Sequence, residues 1–273
     1  MSNKERIRRI ILRTCGILFF LYLLSGVLLW YFQESLLLHP LPQPPGVPYS
    51  LKGSHREWMI PVTDKDSLHF IQFYSQKPSL RKGVILFFHG NRDNIRRYER
   101  YSTWLTGFGY EVWMMDYPGF GKSSGTLTED RLYSDADVVY RMAAGQISSD
   151  SILIYGKSLG TGIAVELASR RNCRRLILET PYYSIPELAW FHFPLFPVKR
   201  MLRYDFPTYA RLPQVQAPVT IFQGTRDRIV PYRHAQKLVP LLKSKDEFVT
   251  IKKGAHNNLA DFPYYHIKLR ALL

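Results

Sequence analysis

The chain has few cysteines and lacks several features of modified or repetitive proteins. Only Cys15 and Cys173 occur among 273 residues, and this separation argues against a disulfide framework or a cysteine-based metal cluster. We therefore predict no metal and no cofactor. The sequence also has no internal repeat and no Asn-x-Ser/Thr acceptor for glycosylation. The missing acceptor favours a bacterial periplasm over a eukaryotic secretory lumen.

Acidic residues are scarce relative to basic ones. The chain has 22 Asp and Glu against 37 Lys and Arg, which gives a formal net charge of +15. Residues 4–13 contribute +4 of this charge, and the remaining +11 is scattered over the rest of the chain. No nucleic-acid motif accompanies the basic residues, so we predict no nucleic-acid partner. A solvated cationic surface is the favoured interpretation, and attraction to anionic lipid head groups is the alternative.

Charged residues are absent from positions 14–32, the sequence TCGILFFLYLLSGVLLWYF. As a helix these 19 residues would rise about 28 Å, close to the ~30 Å thickness of a bilayer's hydrocarbon core. Five cationic residues precede the run and only Lys52 follows within about 20 residues, which predicts a cytoplasmic N-terminus and an exported remainder. A cleaved signal peptide is less favoured, because the run is too long and no small-residue cleavage site follows.

The remaining length and composition fit one globular domain. The chain is 46% hydrophobic and 22% charged, which excludes a disordered protein. We predict a basic cytoplasmic flank at 1–13, a transmembrane signal anchor at 14–32, a proline-rich spacer at 33–50 and a catalytic domain at 51–273. An aromatic insertion at about 181–218 is interpreted either as a lid over a site or as a segment whose aromatic side chains simply pack on the domain.

Compact apolar runs alternate with helical patterns along the domain. This alternation predicts an α/β fold with a mostly parallel sheet and helices on both faces. Two short β-rich runs at 58–62 and 68–74 precede it, and the alternation of the second predicts a half-exposed antiparallel strand. The predicted parallel strands are 83–88, 112–116, 152–155, 176–179, 219–222 and 248–251. The predicted helices are 95–106, 129–144, 159–171, 233–242 and 259–272.

The strongest local signal is a Gly-x-Ser-x-Gly sequence between a predicted strand and a predicted helix. Here Ser158 would occupy a sharp turn, and Gly156 and Gly160 would prevent clashes across it. We predict Ser158 as a nucleophile, with the Leu159 N–H at the helix N-terminus as one oxyanion donor. The Asn91 N–H, in the loop after strand 83–88, is the predicted second donor. His89, in the same loop, is expected to hold that loop rather than to act as a base.

An alcohol nucleophile needs a base, and the base needs an orienting acid. We predict His256 as the base, because its loop follows the last strand and therefore lies at the same sheet edge as Ser158. Asp227 follows the preceding strand and is the predicted acid, with Glu179 as the alternative. Asp116 is expected to cap a turn.

Six ordered motifs resemble the α/β-hydrolase superfamily, and specifically its single-pass, membrane-anchored serine-hydrolase branch, which includes acyl-protein and lysophospholipid hydrolases. They are HGN at 89–91, DYPGFGKSSG at 116–125, GKSLG at 156–160, ETPYYSI at 179–185, GTRDRIVP at 224–231 and GAHNN at 254–258.

The resemblance implies an eight-stranded sheet, acyl-enzyme chemistry, and the triad Ser158, Asp227 and His256 with oxyanion donors Asn91 and Leu159. The predicted activity is hydrolysis of carboxylic esters or thioesters, with lipid-like or acylated substrates. A catalytically silent fold that binds a lipid or a partner, and a serine peptidase of the same fold, are the alternatives.

Overall fold

The computed structural model of the protein describes residues 3–273. Over this range its strands are β1 (His39–Pro40), β2 (His55–Pro61), β3 (Ser67–Phe73), β4 (Gly83–Phe88), β5 (Arg92–Asp93), β6 (Tyr110–Met115), β7 (Ile152–Lys157), β8 (Arg175–Glu179), β9 (Val219–Gly224) and β10 (Glu247–Ile251). Its α-helices are α1 (Asn3–Leu37), α2 (Ile95–Gly107), α3 (Glu129–Ala144), α4 (Leu159–Arg170), α5 (Ile185–His192), α6 (Val198–Met201), α7 (Thr208–Arg211), α8 (Tyr232–Ala235) and α9 (Pro263–Leu272).

Eight strands form one sheet in the order β10-β9-β8-β7-β4-β6-β3-β2. The pairs β2–β3 and β3–β6 are antiparallel, and every other neighbouring pair in this sheet is parallel. Each residue of β4, β6, β7 and β9 is buried, as expected for strands that are covered on both faces. The predicted fold class, a mostly parallel eight-stranded sheet, is confirmed, and the run 68–74 lies in the antiparallel strand β3 as predicted.

The core is divided by the sheet into two layers. Along β4, Leu86 and its alternate neighbours face a cluster that includes residues of α3 and α4, while Ile85 and Phe87 face a second cluster built with α2 and α9. This two-residue alternation is the normal consequence of strand geometry. Helices therefore cover both faces, and the ends of the parallel strands are left at one edge where loops meet.

Local capping explains why two of the predicted helices have the expected bounds. Helix α2 begins after Asn94, whose side-chain oxygen accepts a hydrogen bond from the Arg96 N–H at 3.1 Å. Helix α3 begins after Thr128, whose hydroxyl accepts from the Arg131 N–H at 3.1 Å. The predictions for 95–106 and 129–144 are confirmed.

The predicted helices 233–242 and 259–272 are wrong as continuous α-helices. The first is the short α8 followed by a 3-10 segment, Gln236–Leu241, that contains Pro240. Proline has no N–H and its ring clashes with the preceding turn, so an α-helix cannot run through this position undisturbed. The second begins as a 3-10 turn, Leu259–Asp261, and becomes α9 only at Pro263, a residue that suits the first helical position.

The insertion between β8 and β9 contains α5, α6 and α7 and contacts α1. Among the described residues, α1 is the helix that is long and apolar enough to cross a membrane by length and composition. It continues to Leu37, five residues beyond the apolar run that defined the predicted span.

The start of the proline-rich segment is docked on the domain. The N–H groups of His39, Leu41 and Gln43 donate to the carbonyls of Asn91, Asp93 and Gly121 at 2.9, 3.0 and 2.7 Å. Prolines occupy the intervening positions 40 and 42, where no donor is needed. This part of the predicted spacer is therefore extended but is not a free tether.

Candidate active site

Ser158 lies in a sharp turn between β7 and α4. Its backbone has φ 50° and ψ −118°, a conformation that non-glycine residues rarely adopt. A Cβ at Gly160 would lie 2.1 Å from the Phe88 carbonyl oxygen, and one at Gly156 would lie 2.5 Å from the Gly160 oxygen. Both positions therefore require glycine, and the turn holds the serine at the carboxyl end of the parallel strands.

Ser158, His256 and Asp227 form a continuous hydrogen-bonded chain. The Ser158 Oγ lies 2.8 Å from His256 Nε2, and His256 Nδ1 lies 2.8 Å from Asp227 Oδ2. All three residues are buried, with exposed fractions of 9%, 6% and 5%. The structure thus brings together the three side chains that the sequence had suggested separately.

Backbone donors fix the carboxylate of Asp227. Its Oδ1 accepts hydrogen bonds from the Ile229 and Val230 N–H groups, both at 2.9 Å, and Oδ2 accepts a weaker one from Gln223 Nε2 at 3.2 Å. These contacts immobilise the carboxylate so that Oδ2 is directed at His256. The geometry therefore pairs His256 with Asp227 and not with the alternative acid, Glu179.

The two proposed oxyanion donors follow neighbouring strands. Leu159 is the first residue of α4, where a backbone N–H has no acceptor within the helix. Asn91 lies in the loop after β4, and a Cβ at the adjacent Gly90 would lie 3.5 Å from Ser158 Cβ. The side chain of Asn91 donates to the Leu37 carbonyl at 2.5 Å. The end of α1 therefore helps to hold this loop.

His89 holds the same loop, as predicted. Its Nδ1 lies 2.7 Å from the Gly90 carbonyl oxygen, and its ring stacks on Tyr117 with 4.1 Å between ring centroids. Complete burial lowers the pKa of His89, which favours the neutral ring. These contacts assign His89 a structural part in the loop.

Glu179 is fully buried behind the turn and is saturated with donors. Lys157 Nζ and the Tyr155 hydroxyl donate at 2.5 Å, and the hydroxyls of Tyr101 and Tyr265 donate at 2.8 Å. Burial raises the pKa of the Glu179 carboxyl, but the Lys157 charge and the hydrogen bonds outweigh this effect and hold the pKa below its usual value. Glu179 is thus an ionised structural partner.

Lys157 is a residue whose contact with the site was missed from the sequence. Its Nζ also donates to the His256 carbonyl oxygen at 3.2 Å, so the ion pair with Glu179 reaches the loop of the proposed base. The signal was present, because both charged residues end apolar strands and are aligned in the register of β7 and β8. Two charges at neighbouring buried strand ends must pair.

A second buried histidine was also missed. His69 Nδ1 lies 2.9 Å from Asp116 Oδ2, and His69 Nε2 lies 3.2 Å from Glu57 Oε2. Asp116 also accepts from the Ile95 N–H at the start of α2 and from the Tyr49 hydroxyl. Asp116 Oδ2 also accepts from the Lys122 N–H in the turn that follows it, at 3.4 Å, which supports the expected capping of that turn, but its partner His69 had no sequence signal of its own.

Comparison with known proteins supports the fold. A family model described as serine aminopeptidase, S33, matches residues 79–209. An uncharacterized protein of Mycobacterium tuberculosis is 29% identical over 239 residues, which cover 86% of this chain and 84% of that protein. The mouse α/β-hydrolase domain-containing protein 17C is 27% identical over 215 residues, 77% of this chain and 65% of the relative.

Solved structures extend the same likeness. An esterase of Pyrococcus furiosus has a TM-score of 0.64 at 15% identity, covering 86% of this chain and 95% of its own. A membrane phospholipase A, described as a bacterial virulence factor, has a TM-score of 0.59 at 20% identity, covering 98% and 99%. At these identities the likeness concerns the fold. Together with the strand order and the sequence matches, it shows the α/β-hydrolase fold and supports the α/β-hydrolase superfamily and a hydrolase.

Proposed function

We propose that this protein is a membrane-anchored serine hydrolase that cleaves carboxylic ester or thioester bonds. The observation that carries the proposal is the buried chain of hydrogen bonds from Ser158 through His256 to Asp227, with both contacts at 2.8 Å. A serine hydroxyl is a weak nucleophile unless an oriented base removes its proton. This arrangement supplies the base and its orientation.

The proposed reaction has two halves. Ser158 Oγ attacks the carbonyl carbon while its proton moves to His256 Nε2, and the N–H groups of Asn91 and Leu159 stabilise the oxyanion. The tetrahedral intermediate collapses, and His256 returns the proton to the leaving alcohol or thiol. Water then attacks the acyl-serine with the same base and releases the carboxylic acid. Asp227 holds the imidazole tautomer throughout.

A lipid-like or acylated substrate is supported by the apolar surface of the insertion and of α1. The insertion carries large exposed apolar side chains, among them Trp190 and Leu195, beside the apolar helix α1. Structural neighbours are named as esterases, a thioesterase domain and a membrane phospholipase A, which is the range of acyl chemistry proposed here.

The proposed topology places the N-terminus in the cytoplasm and the catalytic domain outside, at a bacterial inner membrane facing the periplasm. The support is the charge asymmetry around the apolar run of α1. A C-terminal alkaline phosphatase fusion should be active and a C-terminal green fluorescent protein fusion dark. The reverse result would place the domain in the cytoplasm.

A serine peptidase is the second candidate, favoured by the description of the family model that matches residues 79–209. The same serine and histidine would serve an amide substrate. A panel of p-nitrophenyl acyl esters and aminoacyl p-nitroanilides separates the two activities, and we expect turnover of the esters.

A fluorophosphonate probe tests the nucleophile directly. We expect labelling of the native protein, loss of labelling in Ser158→Ala, and unchanged labelling in Ser134→Ala, a matched change at an exposed serine of α3. Absence of labelling in a folded native protein would favour the catalytically silent fold instead.

A further inference from the structure

The tip of the insertion packs against the middle of the apolar run of α1. The ring of Phe196 stacks on Tyr22 with 5.0 Å between centroids and 5° between planes, and the Tyr22 hydroxyl donates to the Leu195 carbonyl at 3.0 Å. A Cβ at Gly26 would lie 3.6 Å from the Phe196 ring. Phe196 therefore lies beside position 26 as well as against Tyr22.

The contact with Tyr22 relates the depth of the insertion tip in a bilayer to the depth of α1. Tyr22 precedes Phe32 by ten residues, so along a helix the two are about 15 Å apart, half of the ~30 Å hydrocarbon thickness. If residues 14–32 span the membrane, the segment that touches Tyr22 lies at a similar depth. The insertion tip then enters the hydrocarbon together with the helix.

The tip is apolar, and several of its backbone groups have hydrogen-bond partners within the protein. Phe193 and Leu195 are 40% and 78% exposed, so apolar surface faces outward. The Phe193 N–H donates to the Ala189 carbonyl, and the Phe196 N–H donates to the Phe193 carbonyl. The Leu195 carbonyl accepts a hydrogen bond from the Tyr22 hydroxyl. Backbone groups must be satisfied in this way where water is absent.

Polar contacts appear where the helix approaches the domain. Arg203 forms an ion pair with Glu34 at 3.1 Å, and its backbone N–H donates to the Gln33 side chain at 2.8 Å. On the insertion, the Lys199 ammonium lies 5.5 Å from the centroid of the Trp190 ring. Trp and Lys are the residues expected at the level of lipid head groups. The contacts therefore change from apolar to polar along α1.

An apolar groove runs between α1 and the insertion. Its walls include Leu29, Leu36 and Leu37 on the helix and Leu188, Phe193 and Met201 opposite, and its cavity volume is ≈ 180 Å³. The groove is therefore narrow and apolar. The groove begins at Leu29, inside the proposed span, and ends at Leu37, whose carbonyl accepts the side-chain hydrogen bond of Asn91.

We infer that the tip of the insertion, residues 193–196, enters the exported leaflet beside α1 and that the groove takes an acyl chain of a membrane phospholipid. The lipid would slide along the groove from the bilayer, and its ester would arrive beside Ser158 and Asn91. This inference rests on the proposed function, because it assigns the source and class of substrate for that same site.

Filling the groove tests the acyl site. Ala189 lines it and is half-buried, whereas Ala210 of α7 is exposed and does not line it, so Ala189→Trp and Ala210→Trp are a matched pair. The full chain is reconstituted in dioleoylphosphatidylglycerol and dioleoylphosphatidylethanolamine vesicles. Released oleate and hydrolysis of water-soluble p-nitrophenyl acetate are measured in parallel. We expect Ala189→Trp to reduce oleate release roughly 10²-fold, because the ester is displaced, while acetate hydrolysis is retained.

The two readouts separate the two possible failures. Equal oleate release by both variants, or acetate hydrolysis without any oleate release by the unaltered protein, would overturn the groove assignment. No acetate hydrolysis by the unaltered protein, or full hydrolysis by Ser158→Ala, would overturn the proposed function.

Depth is tested independently of activity. In a chain with Cys15 and Cys173 replaced by serine, Leu195→Cys is labelled with the fluorophore NBD, and Leu80→Cys serves as the control because it is 68% exposed and lies outside the insertion. We expect lipids with a nitroxide deep in the acyl chain to quench the label at position 195 and not at position 80. Equal, weak quenching at both positions would show that the tip stays in water.

Discussion

Two buried pairs of histidine and aspartate occupy different parts of this molecule. His256 Nδ1 lies 2.8 Å from Asp227, and His69 Nδ1 lies 2.9 Å from Asp116. Both histidines are almost inaccessible, with exposed fractions of 6% and 1%. A paired carboxylate and burial therefore do not distinguish a proposed catalytic histidine from a structural one.

The difference lies at the other ring nitrogen. Nε2 of His256 faces the Ser158 hydroxyl, whereas Nε2 of His69 faces the Glu57 carboxylate. Both nitrogens of His69 therefore face carboxylate oxygens, and neither lies against a hydroxyl that could act as a nucleophile. A hydroxyl can instead give its proton to His256. The group that faces Nε2 therefore distinguishes the pair that could take a proton from a nucleophile from the pair that could not.

Each pair is also supported by a buried lysine. Lys157 pairs with Glu179 and reaches the His256 carbonyl, while Lys122 pairs with Glu57 at 2.5 Å. The two lysines are 3% and 6% exposed. The same kind of ion pair thus stands behind the proposed site and within the structural cluster.

Replacing the two histidines should give the largest difference between the two pairs. We expect His256→Ala to lower kcat by about 10⁶-fold, since the nucleophile loses its base. His69→Ala should leave kcat within about threefold but lower the free energy of unfolding by about 3–5 kcal/mol, because a buried charged partner is left alone. Ester hydrolysis at low temperature and urea unfolding measure the two effects. A folded His69→Ala protein without activity would contradict the comparison.

Changing the two aspartates should give a smaller contrast. Asp227→Asn should reduce kcat by about 10⁴-fold, since the amide favours the wrong imidazole tautomer. Asp116→Asn should mainly destabilise the fold, because it weakens the contacts to His69 and to the start of α2. Steady-state kinetics of both folded variants make the test, and comparable losses of kcat would refute the distinction.

Replacing the two lysines should change kcat by amounts that differ by about the energy of one hydrogen bond. Lys157→Met removes the donor to the His256 carbonyl, so we expect kcat to fall by about tenfold, equivalent to the ~1–1.5 kcal/mol of one such bond. Lys122→Met removes a buried ion pair of the other cluster and should not change kcat. Thermal denaturation should show that both variants are less stable. A tenfold loss of kcat in Lys122→Met as well would remove the special part assigned to Lys157.

Low pH should produce the smallest difference, and it should act on the structural pair of His69 and Asp116. Burial raises the pKa of Asp116, but the hydrogen bond and charge of His69 outweigh it and hold the pKa below its ordinary value. Such a group stabilises the fold above its unfolded pKa of about 3.9, and this stability is lost as the pH falls through the lower folded value. Asp116→Asn should therefore show a shallower decline of Tm below about pH 4 than the unaltered protein. Parallel Tm curves would contradict this assignment.

Local sequence patterns were sufficient for the sheet and for the helices α2, α3 and α4. The strand 83–88 and the helix 129–144 have the predicted bounds because an apolar run and a capping threonine are signals within a few residues. The elbow at Ser158 was equally local. The roles of Ser158, Asp227 and His256 stay predictions, and the structure adds their spacing.

Contacts that depend on pairing between distant segments could not be predicted. Glu57 reaches His69 because β2 and β3 pair in a register that places Met59 opposite His69, two residues away from Glu57. The contact between Tyr22 and Phe196 joins residues 174 positions apart, and no periodicity within either segment encodes it. Such contacts require the folded chain.

The docked segment at residues 39–43 determines how the domain would sit on a membrane. A flexible spacer would let a catalytic domain sample a volume of solution, whereas here α1 ends at Leu37 and the chain is bonded to the domain from His39 onward. In an anchored molecule Ser158 would keep one height and one orientation relative to the bilayer. Its turnover would then depend on how many substrate molecules share its own membrane surface, and lipids in a neighbouring vesicle would be out of reach.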